Sequence, residues 1–198
     1  MRKSDRPLSR ESILAKALEL VDGEGIKALT MRGLGHALCI KAMSIYHYFK
    51  NREELLDGIV EIIMQEVGSH ANASRRRNED WEAVARRIVS AYRVVGKRHP
   101  NAFQLFARRP LRTKAAIAQG QELVDAFLSL ELDRTQAVIA YRAISCFTAG
   151  FVLLETSNGK PAFSTGNFNK EFNGGLDVIL NGIPAVLLKA KARKTRKK

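Results

Sequence analysis

The chain has 198 residues, of which 33 are Lys or Arg and 20 are Asp or Glu, so its formal net charge is +13. With 45% apolar residues it can bury the core of one ordinary domain or two small ones, which excludes a wholly disordered protein. The amino terminus lacks the apolar core of a secretory signal. The longest mostly apolar uncharged stretch, 143–154, has 12 residues, whereas a membrane span needs about 20. We therefore expect a soluble, cytoplasmic protein with free thiols at Cys39 and Cys146.

The positive charge is unevenly distributed along the chain. Residues 189–198 contain seven basic side chains and no acid, and we predict that they form a disordered basic tail. Residues 1–56 and 57–188 each carry a net charge of +3. Excess positive charge suggests a polyanionic partner, and nucleic acid is the usual one. The total charge does not locate a binding site.

Helical periodicity begins at the amino terminus. Apolar residues at three- and four-residue spacing after Ser9, a suitable N-cap, predict a first helix that ends at a pair of glycines. Thr30 is the predicted N-cap of a short second helix. A third helix runs over about 41–48, so a tight turn joins the two. Asn51, followed by acids, predicts the start of a fourth helix that reaches about residue 67.

The pattern after this point is also helical. Residues 68–80 are polar and mark a predicted domain boundary, and residues 157–167 contain glycine and proline and predict a loop. No alternating strand pattern exceeds four residues, so the predicted fold is all-α. The predicted helices of this half are 79–98, 101–109, 113–130, 133–156 and 170–188.

One segment combines charge with a recognisable pair of helices. Residues 30–52 contain Arg32, Lys41, Lys50 and Arg52 and no acid. Two short helices joined by a tight turn, with exposed cations and aromatic hydroxyls, suit a helix-turn-helix whose second helix enters the major groove of DNA. The alternative is a small helical hairpin with an ordinary solvated basic face.

The run LTMRGLGHALCIKAMSIYHYFKNREELL resembles the DNA-binding segment of the tetracycline-repressor (TetR) family. The tyrosine cluster at 46–49 and the closing Lys50-Asn51-Arg52-Glu53-Glu54-Leu55 carry the resemblance. One departure is Cys39, which stands where the family usually has the turn glycine. A left-handed backbone at this position would cost a cysteine about 1 kcal/mol.

The resemblance implies an N-terminal three-helix DNA-binding domain over 1–56, connected by a helix to about 67. A larger helical domain over 68–188 would bind a ligand and dimerise. Leu34, Leu38, Ile45 and Phe49 would form the core of the motif. The residues expected to contact phosphates or base edges are Thr30, Arg32, Lys41, Ala42, Met43, Ser44, Tyr46, His47, Lys50 and Arg52.

The sequence patterns of the second domain are less specific than those of the DNA-binding segment. The helix YRAISCFTAGFVLLE is apolar nearly all round, and with the last helix it could supply half of a four-helix dimer interface. The alternative is that both apolar stripes are intramolecular core.

The segments HPNAFQLFARRPL and FTAGFVLLE resemble the regulatory domain of the tetracycline-repressor subgroup. Leu105 and Leu154 stand near the positions of its metal-associated His and Glu, so no metal and no cofactor is expected. An apolar or planar ligand fits the expected lining, although any of these aromatics could be plain core. The candidate lining residues are His70, Tyr92, Phe103, Phe106, Arg109, Phe127, Phe147, Phe151 and Glu155.

The expected function is that of a homodimeric transcriptional repressor that a small molecule releases from its double-stranded DNA operator. Two recognition helices would then lie in successive major grooves about 34–36 Å apart. One alternative is a non-inducible or architectural DNA-binding protein. A second is an all-α enzyme that uses the Phe-rich cavity, although no nucleophile has a recognisable base partner. No membrane partner is expected.

Overall fold

The computed structural model describes residues 7–108, 114–157, 159 and 161–195, and this part of the chain contains helices and no strand. The all-α prediction is confirmed. A 3₁₀ turn at Ile26–Ala28 separates the first two α-helices. The α-helices are α1 (Arg10–Glu24), α2 (Met31–Ala37), α3 (Ala42–Tyr46), α4 (Arg52–Ala73), α5 (Trp81–Arg98), α6 (Pro100–Arg108), α7 (Lys114–Leu128), α8 (Arg134–Glu155) and α9 (Phe168–Thr195).

The predicted helix starts are confirmed by side-chain caps. Ser9 accepts a hydrogen bond from the Ser12 amide at 3.1 Å, and the Ser12 hydroxyl accepts one in return from Ser9. Asn51 accepts from the amide of residue 54 at 2.9 Å, and Asp133 caps α8 in the same way. These contacts satisfy amide groups that have no partner inside the helix, which is why the helices begin at these residues.

The first of two compact units comprises Met1–Met64 and His99–Thr113. Its core contains the predicted face of α1 and the buried sides of α2, α3 and α4. Helix α6 belongs to this unit, whereas the sequence prediction assigned it to the second domain. The His99 ring nitrogen Nδ1 lies 2.5 Å from the Asp22 carboxylate, and Asn101 donates to the Asp22 carbonyl at 3.0 Å. These contacts, with buried Ala102 and Phe103, explain why α6 packs with α1.

The second unit comprises Gln65–Arg98 and Lys114–Lys198, and its core is formed by α5, α7, α8 and α9. Phe127 and Phe172 are fully buried in this core. Arg87 on α5 is also buried, and its guanidinium donates to Glu79 at 2.8 Å and to Glu122 at 2.7 Å. Two acids therefore balance the buried cation, which offsets the cost of removing it from water.

The last helix is longer than predicted. Helix α9 continues to Thr195, seven residues beyond the predicted end at 188, so most of the predicted disordered tail is helical. The segment 189–195 contains Ala, Lys and Arg and no Gly or Pro, and these residue types favour a helix. The expectation for 196–198 lies outside the described residues.

Helix α8 is the one helix of the described residues that is long and apolar enough to cross a membrane, by length and composition alone. Arg142 lies just before the uncharged stretch 143–154 and within the longer apolar window of α8, and a single charge does not exclude a span. The core helix of a soluble protein has the same composition, and α8 buries Ala140, Ile144 and Val152 among the neighbouring helices.

Candidate nucleic-acid interface

The turn between α2 and α3 brings the two helices very close together. Cys39 adopts a left-handed backbone with φ of 57°, as expected for the position at which the family has glycine. The Ile40 amide donates to the Gly35 carbonyl at 2.9 Å. A Cβ atom on Gly35 would lie 3.1 Å from the Ile40 carbonyl oxygen and 3.2 Å from the Ala42 nitrogen. Glycine at position 35 therefore permits the tight crossing.

Helix α3 has one buried side and one exposed side. Ile45 and Phe49 are buried, as predicted for the core of the motif. On the other side, Met43 is 68% exposed and Tyr46 is 44% exposed. The remaining predicted contacts divide by exposure as follows: Thr30, Arg32, Lys41, His47 and Lys50 are exposed, and Ala42, Ser44 and Arg52 are partly buried.

The exposed side is electropositive because the sequence places no acid between Thr30 and Arg52. Thr30 Oγ1 accepts from the Gly33 amide at 2.9 Å, so the hydroxyl starts α2 and can still donate its proton outwards. The surface therefore offers cations, hydroxyls and the apolar Met43 side chain together, which suits phosphates, base edges and thymine methyl groups.

Arg52 differs from the other cations of the motif. Its Nε donates to the Leu29 carbonyl at 2.6 Å and its Nη2 donates to the Ile26 carbonyl at 2.8 Å. The guanidinium thus binds carbonyl groups at the end of the 3₁₀ turn that precedes α2. This geometry gives Arg52 a role inside the motif, in addition to the phosphate contact predicted for it.

Sequence reasoning missed three residues that fix the end of the motif. The Tyr48 hydroxyl donates to the Leu8 carbonyl at 2.8 Å. Arg10 lies over the Phe49 ring at 4.2 Å and pairs with Glu54 at 3.0 Å. Glu54 also accepts from the Lys50 amide at 2.8 Å, and this backbone hydrogen bond, together with Arg10, lowers the pKa of Glu54. The acids after Asn51 were the sequence signal for this contact.

Three aromatic residues predicted to line a ligand pocket, Phe127, Phe147 and Phe151, pack against other rings of the second unit. Phe127 contacts the ring of Trp81, with centroids 6.1 Å apart. Phe147 stacks on Phe172 at 5.6 Å, and Phe151 meets Phe172 edge-on at 5.2 Å. Each of these three rings therefore has another aromatic side chain as a packing partner.

The polar members of the predicted pocket have separate positions. Glu155 is 5% exposed and accepts from Arg93 at 2.7 Å and from Lys97 at 2.8 Å. Burial raises the pKa of Glu155, but these two cations outweigh it, and the net pKa is lowered. Tyr92 on α5 is partly buried, and burial raises its pKa. His70 is partly buried in the last turn of α4.

The other predicted pocket residues come from the α6 region. Phe103 is fully buried in the first unit. The side chain of Phe106 and the whole of Arg109 lie outside the described residues.

The second unit has a cavity of about 300 Å³ between α5 and α9, in the part of the chain that the structure describes. None of the predicted pocket residues lines it. Its lining residues are Ser90, Arg93, Val94, Lys97, Asn169, Phe172 and Asn173.

Two helices of the second unit have apolar side chains on their exposed sides. On α8, Ile139 is 51% exposed and Leu154 is 43% exposed, and Val138 and Cys146 are also exposed. On α9, Val178 is 74% exposed and Val186 is 65% exposed. Apolar groups repeated along one side of neighbouring helices are typical of a surface that another chain covers.

Comparison with known proteins identifies the family to which this chain belongs. Residues 13–59 match the model of the bacterial regulatory proteins of the tetR family. Tetracycline repressor protein class C from Escherichia coli is 31% identical over 168 residues, which cover 80% of this chain and 71% of the relative. The chain belongs to the TetR family.

Solved structures show the same fold. The TetR Q116A variant from Acinetobacter baumannii AYE, in complex with minocycline, is 24% identical with a TM-score of 0.78, over 91% of this chain and 99% of that one. BioQ with its double-stranded DNA operator is 22% identical with a TM-score of 0.73, over 90% and 99% of the two chains. This TetR-family protein is a DNA-binding transcriptional regulator and not an enzyme.

Proposed function

We propose that the protein is a homodimeric repressor that binds an operator through α2 and α3 and is released by a small apolar or planar ligand. The observation that carries this proposal is a set of three exposed cations with no acid between Thr30 and Arg52: Arg32 on α2, Lys41 at the start of α3 and Lys50 after α3. Membership of a family of soluble DNA-binding regulators supports the further proposal that the protein acts in the cytoplasm.

The proposed docking assigns a role to each exposed group. Lys41, Ala42, Met43 and Ser44, at the start of α3, face base edges, and the apolar Met43 side chain contacts thymine methyl groups. The residues that flank the start of α3 contact DNA through their hydrogen-bond donors. Thr30, Arg32, Tyr46, His47 and Lys50 contact phosphates or neighbouring base edges. Arg52 supports the motif from inside, and its Nη1, which lies 3.7 Å from the Glu53 carboxylate, would make the contact with the DNA backbone.

A dimer follows from the exposed apolar sides of α8 and α9. A charged or polar surface could remain in water, but Ile139, Leu154, Val178 and Val186 expose apolar area that a second copy would cover. Two helices from each chain would form a four-helix interface about a twofold axis. The same axis would place two recognition helices about 34–36 Å apart, in successive major grooves.

Ligand release is supported by the relatives. The A. baumannii structure contains minocycline, and a structure of ActR from Streptomyces coelicolor contains (S)-DNPA. In this chain, the second unit would hold a ligand near Tyr92, Phe127, Phe147 and Phe151. A ligand that binds the released state better lowers DNA affinity by its differential binding energy.

A non-inducible regulator is the second candidate. The packing of Phe147 and Phe151 on Phe172 favours it, because contacts between core side chains account for the apolar character of these rings. In this case the second unit would dimerise and would not sense a small molecule.

One experiment in two stages tests these functions. The first stage is a gel shift at moderate salt with duplexes from the DNA upstream of the protein's own gene, against a scrambled duplex of the same length. Sequence-selective binding is expected, and its absence would contradict the repressor. In the second stage, small molecules are added to the complex. Release by any of them supports the inducible repressor, whereas a complex that survives a broad ligand panel favours the non-inducible regulator.

A further inference from the structure

The cavity between α5 and α9 has a polar lining that is rich in hydrogen-bond donors. Among the described residues that line it, none is an acid. The polar lining residues are Ser90, Arg93, Lys97, Asn169 and Asn173, and the apolar ones are Val94 and Phe172. The volume of about 300 Å³ lies at the lower end of the range for small-molecule pockets, about 300–1,000 Å³. The cavity therefore has the size and the donors for a small ligand that accepts hydrogen bonds.

Two cations beside the cavity share a single carboxylate. Arg93 donates from Nε and Nη2 to the two oxygens of Glu155 at 2.7 and 2.8 Å. Lys97 Nζ lies 2.8 Å from one of the same oxygens. Glu155 is almost fully buried and is not one of the lining residues. The pair of cations therefore binds a carboxylate already and carries one positive charge more than Glu155 neutralises.

Both cations retain donors for a ligand. A guanidinium has five N–H groups, and Arg93 uses those of Nε and Nη2 for Glu155 and for the Asn169 amide oxygen, at 2.8 Å. The two N–H groups of its Nη1 remain. Lys97 is about half exposed, and an ammonium has three N–H groups, of which Glu155 takes one. The Arg93 guanidinium also lies 4.7 Å from the centre of the Phe172 ring, so it is held in place and loses little freedom when a ligand binds.

The excess of positive charge is specific to this part of the contact between α5 and α9. Arg86 lies seven positions before Arg93, on the same side of α5. Its Nη2 donates to Glu82 and to Asp177, both at 2.6 Å. Two acids therefore face one cation at Arg86, whereas one acid faces two cations at the cavity. Packing of α5 on α9 alone does not require the surplus cation.

We propose that this cavity binds a small organic anion that consists of one carboxylate attached to an apolar group. The carboxylate accepts from Arg93 Nη1 and from Lys97, and the apolar group contacts Val94 and Phe172. A single negative charge matches the single surplus positive charge, whereas a phosphate dianion would leave one charge unbalanced. This ligand differs in charge and in lining residues from the apolar or planar ligand of the proposed function, and its binding does not require DNA.

The cavity stays accessible in the proposed dimer. Asn173 and Asp177 are four positions apart and share one side of α9, and the contact of Asp177 with Arg86 shows that this side faces α5. Val178, which belongs to the proposed dimer surface, lies about 140° around the helix from Asn173, because each residue turns an α-helix by about 100°. A second copy that covers Val178 therefore leaves the α5 side of α9 open.

The first test measures binding of a simple probe to the full chain. The ¹⁵N-labelled protein is titrated with benzoate and with benzamide, which has the same ring without the charge. Benzoate should shift the amide signals of Ser90, Val94 and Asn173, with a dissociation constant of about 1 mM or lower. Benzamide should bind at least about 10-fold more weakly. Equal affinities for the two probes, or shifts only outside the cavity, would overturn the proposal.

A pair of lysine variants separates the site from a general effect of charge. K97Q removes a cation of the cavity and should weaken benzoate binding at least about 10-fold. K114Q is the matched control, because Lys114 is exposed on α7 of the same unit, and it should stay within about twofold of wild type. Equal losses in the two variants would mean that benzoate responds only to the total charge, and the site would be wrong.

A gain of affinity is the sharpest test, because an unfolded variant could not produce it. E155Q removes the carboxylate that shares Arg93 and Lys97, so benzoate should bind about 3–10-fold more tightly. D125N removes an exposed acid from α7 and should leave the affinity within about twofold of wild type. If E155Q binds benzoate no more tightly than D125N does, Glu155 and the ligand do not share these cations, and the proposal is overturned.

Discussion

The exposed surfaces of α3 and of α8 differ in chemistry although both leave large side chains in water. On α3, the exposed groups include Lys41, Tyr46 and His47, which can all donate hydrogen bonds, and Lys41 also carries a positive charge. On α8, Ile139 and Leu154 are about half exposed and have no polar atom in their side chains. The first surface suits a polyanion, and the second suits another apolar surface.

Because of this difference, DNA binding and dimerisation should depend differently on salt concentration. Binding through α3 would release counterions and weaken steeply with salt. Association through α8 and α9 would bury apolar area and respond little to salt. Because a twofold DNA reader needs both, disrupting the apolar surface should also impair DNA binding, whereas disrupting α3 should leave the dimer intact.

The largest effect is expected for a charge placed on the apolar surface. I139D would bury a carboxylate without a partner in the dimer, so the dissociation constant of the dimer should rise at least about 100-fold. Sedimentation equilibrium measures the monomer–dimer distribution, and the same sample should bind operator DNA more weakly. I117D is the control, because Ile117 is 58% exposed on α7, outside the proposed interface. Loss of the dimer in both variants would contradict this location of the interface.

The next effect tests the polar surface. Y46A removes an exposed aromatic hydroxyl from α3 and should weaken operator binding by about 10–50-fold, corresponding to about 1.4–2.3 kcal/mol. Because Tyr46 is 44% exposed, the melting temperature and the dimer dissociation constant should stay near their wild-type values. Gel shifts and calorimetry on the same preparation check both statements. If Y46A binds the operator as tightly as wild type, Tyr46 does not contact DNA as proposed.

The starts of several helices followed from the sequence because local signals determine them. Ser9, Thr30, Asn51 and Asp133 cap helices as predicted, and each cap involves residues three positions apart. The spacing of apolar residues also placed Ile45 and Phe49 in the core. The left-handed backbone at Cys39 was expected from the family's glycine and is present.

Contacts between distant residues could not be predicted in this way. The pairing of His99 with Asp22, which places α6 in the first unit, joins residues 77 positions apart and has no local pattern. The same is true of Arg93 with Glu155 and of the rings around Phe172. Composition marked these groups as suitable for a ligand, but composition does not distinguish a ligand from a neighbouring side chain as their partner.

A smaller effect distinguishes two neighbouring cations of the motif. R52A removes the hydrogen bonds to the Leu29 and Ile26 carbonyls and should lower the free energy of unfolding by about 1–2 kcal/mol. K50A removes an exposed amine and should leave stability within about 0.5 kcal/mol while weakening DNA binding. Urea denaturation and anisotropy titrations of both variants provide the comparison. If R52A and wild type have the same midpoint of urea unfolding, the proposed role of Arg52 inside the motif is wrong.

The smallest effect concerns the pH dependence of Glu155. Its net pKa lies below the ordinary value of 4.5 because Arg93 and Lys97 outweigh the effect of burial. A lowered pKa in the folded state adds stability above pH 4.5, and this contribution is lost as the pH falls through the folded-state pKa. The difference in unfolding free energy between wild type and E155Q should therefore be largest near neutral pH and should shrink below about pH 4.5. A constant difference would mean that the Glu155 carboxylate is not paired in solution and is available to a ligand, as the sequence interpretation assumed.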